Sequence, residues 1–357
     1  MKVLFTYIIL MILLFVSCSE QAALNKGDKV NGNNTVVQNF IKIPVPKNGF
    51  NNAYLHNDGS IWFCSNGGGV YNFNGKSFVN YTTKDGLSSN QVFSITTDSK
   101  NNLWFGTQNG LTLFRNDIFK PIVIPYQDTT SGWIKTVYPT LSPNAVHALA
   151  VDDADLWIGT AGGGAFKYDG QNFESYLTNI GRKQEDSSYH NWIPNIEKDN
   201  KGNMWFASMT HGGVNRFNGK AFTQFSIKDG LSDSQVRTIY CDKSGKIWMG
   251  FNGNRNSGLS VYNGNTFTTY YENDGLCNKR IRAICEDKNG HIWLGSQLGN
   301  LCIYNGEQFV EFTYNGQTLS DILFIIEDLE HNIWFGGQKG IWKYDFETVK
   351  EMTVKEY

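Results

Sequence analysis

The chain has 357 residues, of which 40% are hydrophobic and 18% are charged, and its formal net charge is -2. Its 31 lysine and arginine residues are balanced by 33 aspartate and glutamate residues, with no basic run or arginine-rich stripe. Phosphate backbones are bound by clustered positive charge, so the composition excludes nucleic acid as a predicted partner.

The first residues have the pattern of an export signal. Lys2 precedes an apolar run over residues 3–16, which is too short for a membrane-spanning helix. The stretch at residues 15–18, Phe-Val-Ser-Cys, resembles a bacterial lipobox, in which the cysteine is diacylated and becomes the new N-terminus. We therefore predict a lipoprotein signal peptide over residues 1–17 and lipidation of Cys18. The alternative is an ordinary secretory signal with a chance cysteine.

A polar segment follows the signal. Residues 18–38 are rich in Asn, Lys, Gly, Asp and Gln, a composition that cannot bury a core. We predict a flexible tether there and a folded domain over residues 39–357. No second long apolar segment follows, so membrane attachment is predicted through the lipid alone. The predicted location is the bacterial cell envelope, facing either the periplasm or the outside.

Tryptophan recurs in one repeated sequence context over most of the chain. Each copy has an apolar residue, Trp, another apolar residue, a glycine-rich stretch, an aromatic residue, and in most copies Asn-Gly or Asp-Gly. The intervals are 42, 53, 48, 43, 45 and 41 residues. A period in the low forties with strand-like segments is typical of a β-propeller, so seven copies predict seven blades. The seven tryptophans are Trp62, Trp104, Trp157, Trp205, Trp248, Trp293 and Trp334.

The second repeat shows how one blade is built. Residues 90–97, 103–107, 111–114 and 119–124 are rich in β-formers and are separated by Gly, Asn and Asp turns. They predict strands a to d, numbered from the inside of the ring outwards. The prediction for the domain is an all-β fold, a seven-bladed β-propeller of four-stranded antiparallel blades. The tryptophan is expected to fill the gap between adjacent blades.

An aspartate precedes the tryptophan in every repeat but the first. Because it recurs in six blades, we interpret it as a residue whose side chain accepts from the backbone of the a–b turn, and not as a calcium or catalytic group. No metal, cofactor or catalytic residue is predicted. The six residues are Asp98, Asp152, Asp199, Asp242, Asp287 and Asp328.

Five cysteines lie beyond the signal, without a CxxC motif. Cys64, Cys241 and Cys285 fall in strand patterns among small or apolar residues, which predicts buried small hydrophobes. In an exported protein a disulfide is compatible with the sequence, either Cys285–Cys302 or Cys277–Cys285, and the residues do not decide between these alternatives.

Both ends of the domain have strand patterns. Residues 39–43 precede blade one as an outer strand would, and residues 348–352 follow strand c of blade seven in the same role. We predict that both ends lie at the seam between blades one and seven, where closure of the ring removes free sheet edges. Which of them pairs with strand c of blade seven is open at this point.

The link between blades carries a further motif. Residues 85–92 read Asp-Gly-Leu-Ser-Ser-Asn-Gln-Val, and similar sequences begin at Asp229 and Asp274. Together with the Ile-Trp-(Met/Leu)-Gly and Tyr-Asn-Gly segments downstream, this resembles the two-component-regulator propeller repeat over nearly all of residues 39–352. The resemblance implies the propeller of a periplasmic sensor of a hybrid two-component system, a type notable in Bacteroidetes and commonly specific for polysaccharide fragments.

Sensors of that family continue into a β-sandwich, a transmembrane helix and a kinase. This sequence ends at Tyr357, directly after the last repeat. The expectation from the resemblance is therefore a sensor-like binding propeller without kinase activity of its own.

The longest predicted loops lie on one face of the propeller, which carries the d–a links and the b–c turns. These are residues 125–143, 177–191 and 252–257. Variable loops on a rigid scaffold commonly carry binding sites, and aromatic rings beside amides and charges suit sugars. The alternatives are that Trp133 and Trp192 pin the loops and that the charged rim is merely solvated. The candidate ligand-binding residues are Trp133, Tyr138, Tyr189, His190, Trp192, His211 and Arg255 in loops, and Arg237 and Arg280 at the channel rim.

The first functional hypothesis is a lipid-anchored, non-catalytic propeller that binds an oligosaccharide or another extracellular ligand on this face. One alternative is a protein–protein scaffold for a partner in an envelope complex. A second alternative is a propeller lyase or hydrolase. Against an enzyme, the sequence contains no GxSxG, HExxH or phosphate-loop motif, and only His190 and His211 of its six histidines fall on the variable face.

Overall fold

In a computed structural model of the protein, contacts divide the chain into two units, residues 1–38 and 39–357. The first unit, with Cys18, lies outside the residues that the structure describes, so the predicted signal, lipidation and tether stay predictions. The structure describes Pro46, residues 49–125, Thr140, and residues 142–178, 192–252 and 257–352.

The second unit is a seven-bladed β-propeller, as predicted. Each blade is one four-stranded antiparallel sheet whose strands follow chain order from a to d. Blades one to four contain β1 (Phe50–Leu55), β2 (Ile61–Ser65), β3 (Val70–Phe73), β4 (Phe78–Tyr81), β5 (Val92–Thr97), β6 (Leu103–Thr107), β7 (Gly110–Arg115), β8 (Ile118–Ile122), β9 (Val146–Asp152), β10 (Asp155–Thr160), β11 (Ala165–Tyr168), β12 (Phe173–Tyr176), β13 (Ile196–Lys198), β14 (Met204–Ala207), β15 (Val214–Phe217) and β16 (Phe222–Phe225).

The last three blades follow the same plan, with a two-stranded hairpin in the link between blades six and seven. Their strands are β17 (Val236–Cys241), β18 (Ile247–Phe251), β19 (Leu259–Tyr262), β20 (Phe267–Tyr270), β21 (Ile281–Glu286), β22 (Ile292–Ser296), β23 (Cys302–Tyr304), β24 (Phe309–Glu311), the hairpin β25 (Thr313–Tyr314) and β26 (Gln317–Thr318), and then β27 (Ile322–Glu327), β28 (Ile333–Gly337), β29 (Ile341–Tyr344) and β30 (Val349–Met352).

The seven inner strands form a closed ring around a central channel. Each a-strand contacts the a-strand of the next blade, and β27 of blade seven returns to β1 of blade one. The outer strand of blade seven is β30, which pairs antiparallel with β29. The segment near the C-terminus therefore supplies this strand, and residues 39–43 lie outside the described residues.

The repeated tryptophans occupy the gaps between blades, as expected. Each indole contacts the aromatic residue near the end of strand c in the next blade, at centroid distances of 5.5 to 6.0 Å. The last contact, Trp334 with Phe73, closes the ring between blades seven and one. The interblade core is therefore one contact repeated seven times.

In five blades the recurring aspartate binds both the a–b turn and the tryptophan. Asp287, for example, accepts from the backbone amides of Asn289 and His291 at 2.8 and 3.0 Å. Its other oxygen accepts from the indole N–H of Trp293, which is almost fully buried. The turn prediction is confirmed for these five. The indole nitrogen–carboxylate distances are 2.9 Å for Trp104–Asp98, 2.8 Å for Trp205–Asp199, 2.7 Å for Trp248–Asp242, 2.9 Å for Trp293–Asp287 and 2.7 Å for Trp334–Asp328.

The prediction is wrong for Asp152. The a–b turn of blade three is shorter, and Asp152 pairs across it with Asp155 as a strand residue. Its carboxylate instead forms an ion pair with Lys198 of blade four at 2.7 Å. The indole nitrogen of Trp157 is buried without a hydrogen-bond partner among the described residues. In blade three the shorter turn therefore has an ion pair with blade four in place of the hydrogen bond between the aspartate and the indole.

The Asp-Gly-Leu link has a definite local geometry. After strand d of blade one, residues 83–85 form a single 3-10 turn with a capping box, in which Asp85 accepts from the backbone N–H of Thr82 at 2.7 Å. Gly86 follows with a φ of 105°, which favours glycine, and Leu87 is buried between blades. Residues 227–231 and 272–276 repeat this geometry. Within the described residues no helix has the length and hydrophobicity needed to span a bilayer.

The disulfide joins Cys277 to Cys302, so both predicted pairings are wrong. Cys277 follows the link leucine, and this link lies across the first residue of strand c, where Cys302 stands. Cys285 is on strand a and is buried with Cys64, as predicted, while Cys241 is only half-buried. Burial raises the pKa of the Cys285 thiol to about 12 and also raises that of Cys64.

We expect Asp287→Ala to destabilise the propeller by about 3 kcal/mol, because it leaves a buried indole N–H and two turn amides without an acceptor. Calorimetric or urea unfolding measures this change. The matched control is Asp169→Ala, which removes a carboxylate that accepts from two turn amides on an exposed c–d turn. Equal losses in the two variants would show that the tryptophan bond contributes nothing beyond the turn.

Candidate functional site

The central channel contains a cavity of about 650 Å³. All seven inner strands contribute to its lining. Asn66, Gln297 and Gln338 also line it, and these three residues lie in b–c turns. The cavity therefore reaches the face that carries the d–a links and b–c turns, which is the face predicted to bind a ligand.

One position of the repeat forms a ring in this cavity. It is the residue directly after the first apolar residue of strand a, or in blade four the proline just before β13, and six residue types occupy the seven places. The architecture thus holds side chains of six residue types at seven equivalent places, which is the arrangement expected of a specific site on a symmetric scaffold. From blade one to blade seven the residues are Asn51, Phe93, His147, Pro194, Arg237, Arg282 and Leu323.

The ring residues of blades two and three form an aromatic wall. Phe93 and His147 stack with their ring centroids 4.2 Å apart and their planes 12° from parallel. Burial, and then the charge of Arg237, lower the pKa of His147 to about 3, so this imidazole is neutral at physiological pH. Sequence reasoning missed both residues, although comparing the same position across the repeats would have found them.

Trp192 stands behind this wall. Its side chain is only 5% exposed and contacts the His147 ring edge-on, with centroids 5.6 Å apart. It belongs to a small apolar cluster with Ala145, Ala161 and Met209. This placement supports the alternative that Trp192 fixes the adjacent link to the barrel. The predicted contact of Trp192 with a ligand would then be indirect, through the Phe93–His147 wall.

His211 lies at the start of a polar network on the rim. It is exposed in the b–c turn of blade four, and its Nδ1 is 3.0 Å from the hydroxyl of Ser234. Its Nε2 is 3.1 Å from the amide nitrogen of Gln235. The side-chain oxygen of Gln235 accepts from Asn252, so the side-chain nitrogen of Gln235 is the atom that donates to His211 Nε2. His211 therefore carries its hydrogen on Nδ1.

The network continues to the ring of cavity residues. The Asn252 oxygen accepts from a guanidinium nitrogen of Arg282 at 3.2 Å, and the same nitrogen donates to the side-chain oxygen of Gln297. Hydrogen bonds thus connect the b–c turns of blades four, five and six. They fix the orientation of Arg282 beside the cavity.

The two predicted rim arginines differ in position. Arg237 lines the cavity. Arg280 is half-buried in the link into blade six, where its backbone oxygen accepts from Gln297 and Ser296, and it is not a cavity-lining residue. The other loop candidates, Trp133, Tyr138, Tyr189, His190 and Arg255, lie outside the described residues and stay predictions.

Deeper in the channel stands one carboxyl group, that of Glu197. Its oxygen accepts from the backbone N–H of Cys241 at 3.1 Å. Burial raises its pKa to about 7. Its remaining exposed surface faces the channel, so water there reduces the desolvation but does not abolish it. Among the described residues no group of three or more His, Cys, Asp or Glu side chains is arranged to hold a metal ion.

Glu197 makes the propeller's stability depend on pH. With the folded-state pKa raised from 4.5 to about 7, the folded state keeps a proton that the unfolded state loses, so stability falls as pH rises through this interval. We expect Glu197→Gln to reduce the fall in unfolding free energy between pH 4.5 and 8 by on the order of 2 kcal/mol, allowing for channel water.

Unfolding at both pH values measures this effect. Glu307→Gln, which removes an exposed carboxylate from a c–d turn, is the control and should leave the pH dependence unchanged. Identical pH profiles for the wild type and Glu197→Gln would contradict the assigned pKa.

Comparison with known families identifies the repeat. The family described as "Two component regulator propeller" matches residues 86–109, 230–253 and 275–297. Each match begins at the glycine of an Asp-Gly-Leu link and runs through strands a and b of blades two, five and six.

A sequence relative is Histidine kinase P4 from Formosa agariphila, which is 28% identical over 315 residues. The match covers 82% of this chain and 21% of the relative, so the chain spans about a fifth of that protein's length. A solved structure with a similar fold is the extracellular domain of BT4673 from B. thetaiotaomicron, described as a hybrid two component system. It has a TM-score of 0.64 and 21% identity, covering 84% of this chain and 38% of that one.

Propellers of other kinds have the same fold. A streptogramin B lyase has a TM-score of 0.65 at 15% identity, covering 87% of this chain and 96% of that one. Identity at this level shows the fold alone. The repeat match is the more specific finding, and it confirms the resemblance seen in the links. The chain is therefore a seven-bladed β-propeller in which three segments match the two component regulator propeller family.

Proposed function

We propose that this protein is an exported, lipid-anchored binding propeller that holds an extracellular glycan at the channel mouth on the d–a/b–c face. The observation that carries the proposal is the cavity of about 650 Å³, whose ring of seven side chains contains six residue types. Ligand cavities of drug-sized molecules, a size that includes short oligosaccharides, have volumes of a few hundred to a thousand Å³.

The lining has the mixed chemistry that sugars require. Amides at Asn51, Asn66 and Gln338 and the guanidinium of Arg282 suit hydroxyl groups, while the Phe93 ring provides an apolar surface for a sugar's C–H face. Asn66 is already held in place, since its side-chain oxygen accepts from Gln91 at 2.6 Å. A site fixed before binding loses less entropy when the ligand arrives.

The similarity to the propellers of two-component systems supports a sensor-like role in an exported protein. The relative from Formosa agariphila is named as a histidine kinase, and the BT4673 structure is an extracellular domain. Those activities belong to longer proteins. For this chain the proposal is binding alone.

A lyase is the second candidate, because a streptogramin B lyase matches over nearly its whole length. His147 is half-buried in the cavity lining and His211 lies on its rim, so each is near enough to be tested. A candidate base must reach the proton that it removes, so loss of product formation in variants is the evidence that would establish such a role.

A thermal-shift screen of oligosaccharides from plant, mucin and microbial sources tests the glycan proposal. A bound ligand at a hundred times its Kd should add about 2.7 kcal/mol of stability. We expect the double variant Asn66→Ala/Gln338→Ala to weaken binding about tenfold or more, because it removes amides from the cavity wall. Gln308→Ala, on an exposed c–d turn of the other face, is the matched control. Trp133→Ala tests the loop prediction separately.

The screen also separates the alternatives. Sugar binding that survives the double variant would place the site elsewhere. A blank for every sugar, with a single stoichiometric protein partner on co-purification, would favour the envelope scaffold. Product formation that disappears in His190→Ala or His211→Ala would establish an enzyme.

A further inference from the structure

We propose that the Cys277–Cys302 disulfide fixes the blade-six side of the cavity, so that the site reaches its binding geometry only after the two thiols have been oxidised. For the identity of the ligand as a sugar, this inference rests on the proposed function. The positioning of the cavity wall by the disulfide does not depend on that identity.

The disulfide stands where other blades have a hydrogen bond. In blade two the backbone N–H of Ser88, directly after the link leucine, donates to the hydroxyl of Thr112 in strand c at 3.1 Å. Blade five has the same bond at the same distance. Blade six has a covalent bond in its place. The equivalent pairs are Ser88–Thr112, Ser232–Ser260 and Cys277–Cys302.

The disulfide ties the link to the middle of a sheet. Cys302 is fully buried on β23, where it pairs with Leu294 of strand b and Glu311 of strand d. Cys277, in the link, is only half-buried. A hydrogen bond in such a link opens in local fluctuations of the native state, whereas a disulfide stays closed. The link into blade six is therefore held more firmly than its equivalents in blades two and five.

The residues after Cys277 carry this constraint to the b–c turn of blade six. The side-chain oxygen of Asn278 accepts from the Ser296 hydroxyl at 2.8 Å. The backbone oxygen of Arg280 accepts from the backbone N–H of Gln297 at 3.1 Å. The turn also packs so closely on the link that a Cβ atom at residue 299 would overlap the Asn278 side chain. The link and the turn therefore form one unit.

This turn supplies part of the cavity wall. Gln297 lines the cavity, and its side-chain oxygen accepts from Arg282, which lines the cavity too. The residues at the same place in blades two and five are Gln108 and Asn252, and neither is among the described residues of the lining. Of the three blades with an Asp-Gly-Leu link, the one with the covalent bond is thus the one whose turn faces the cavity.

The bond forms by thiol–disulfide exchange with a disulfide-bearing oxidant, the class of reagent that acts in oxidising compartments. The Cys277 thiolate attacks the oxidant's disulfide and forms a mixed disulfide, and the Cys302 thiolate then displaces the oxidant. Two S–H bonds and the oxidant's S–S bond break, and one S–S bond forms in the protein. The oxidant takes up two electrons and two protons and leaves as a dithiol.

Hydrogen–deuterium exchange measures the positioning without any ligand. The wild type is refolded with glutathione disulfide or with dithiothreitol, and its thiols are counted by mass after alkylation. The variant Cys277→Ser/Cys302→Thr copies the pair of blade two and cannot be oxidised, so it decides the test where the reduced chain does not refold. The matched control is Ser88→Ala/Thr112→Ala, which breaks the equivalent pair of blade two.

We expect the backbone amides of residues 296–299 to exchange about tenfold or more faster without the disulfide, because local opening is no longer blocked by a covalent tie. The Ser/Thr variant should behave like the reduced wild type. The control should speed exchange in residues 107–109 and leave residues 296–299 unchanged. The oligosaccharide panel of the thermal-shift screen is repeated on all these proteins. A sugar that binds the oxidised protein should bind the reduced protein several-fold more weakly.

The outcomes separate this inference from the proposed function. Unchanged exchange at residues 296–299 in a protein shown to lack the disulfide would overturn the inference. A uniform increase in all seven blades would also overturn it, because the disulfide would then contribute only to global stability. Faster exchange at these residues, with no sugar bound by the oxidised protein, would support the positioning and count against the glycan. Equal sugar binding by the oxidised and reduced proteins would overturn completion of the site by oxidation and leave the glycan proposal standing.

Discussion

The propeller depends on one contact repeated around the ring, that of a tryptophan with the aromatic residue of the next blade. Trp334 with Phe73 shows its importance, because this pair joins the last blade to the first. In five blades an aspartate accepts from the indole N–H and from the a–b turn, so one side chain ties a turn to an interblade contact. Since a buried N–H without an acceptor costs free energy, each of these five blades is positioned by the same local sequence that forms its turn.

This arrangement separates the residues that build the fold from those available for binding. The tryptophans, aspartates and link leucines act between strands and blades, away from the axis. The ring position lines the channel and takes no part in those contacts, so its residue can change from Phe93 to Arg282 without loss of the blade. Seven equivalent positions with seven independent side chains are how a symmetric scaffold acquires an asymmetric site.

The same separation explains what the sequence predicts. The tryptophan period and the Asp-Gly-Leu links predict blades and turns, because each acts within one blade or between neighbours. The role of Asp152 was predicted wrongly because its turn is one residue shorter, which changes its partner from an indole to Lys198. The Cys277–Cys302 bridge depends on how a link crosses strand c. His147 was missed because its importance comes from stacking with Phe93 across two blades, which no single repeat reveals.

Burial in the channel shifts the pKa values of its carboxyl and imidazole groups in opposite directions. The pKa of Glu197 rises to about 7 and that of His147 falls to about 3, so both groups shift towards their uncharged forms. Arginine has no such response at physiological pH, because its guanidinium stays protonated. Arg237 and Arg282 therefore stay protonated in a cavity where His147 and Glu197 are shifted towards their uncharged forms.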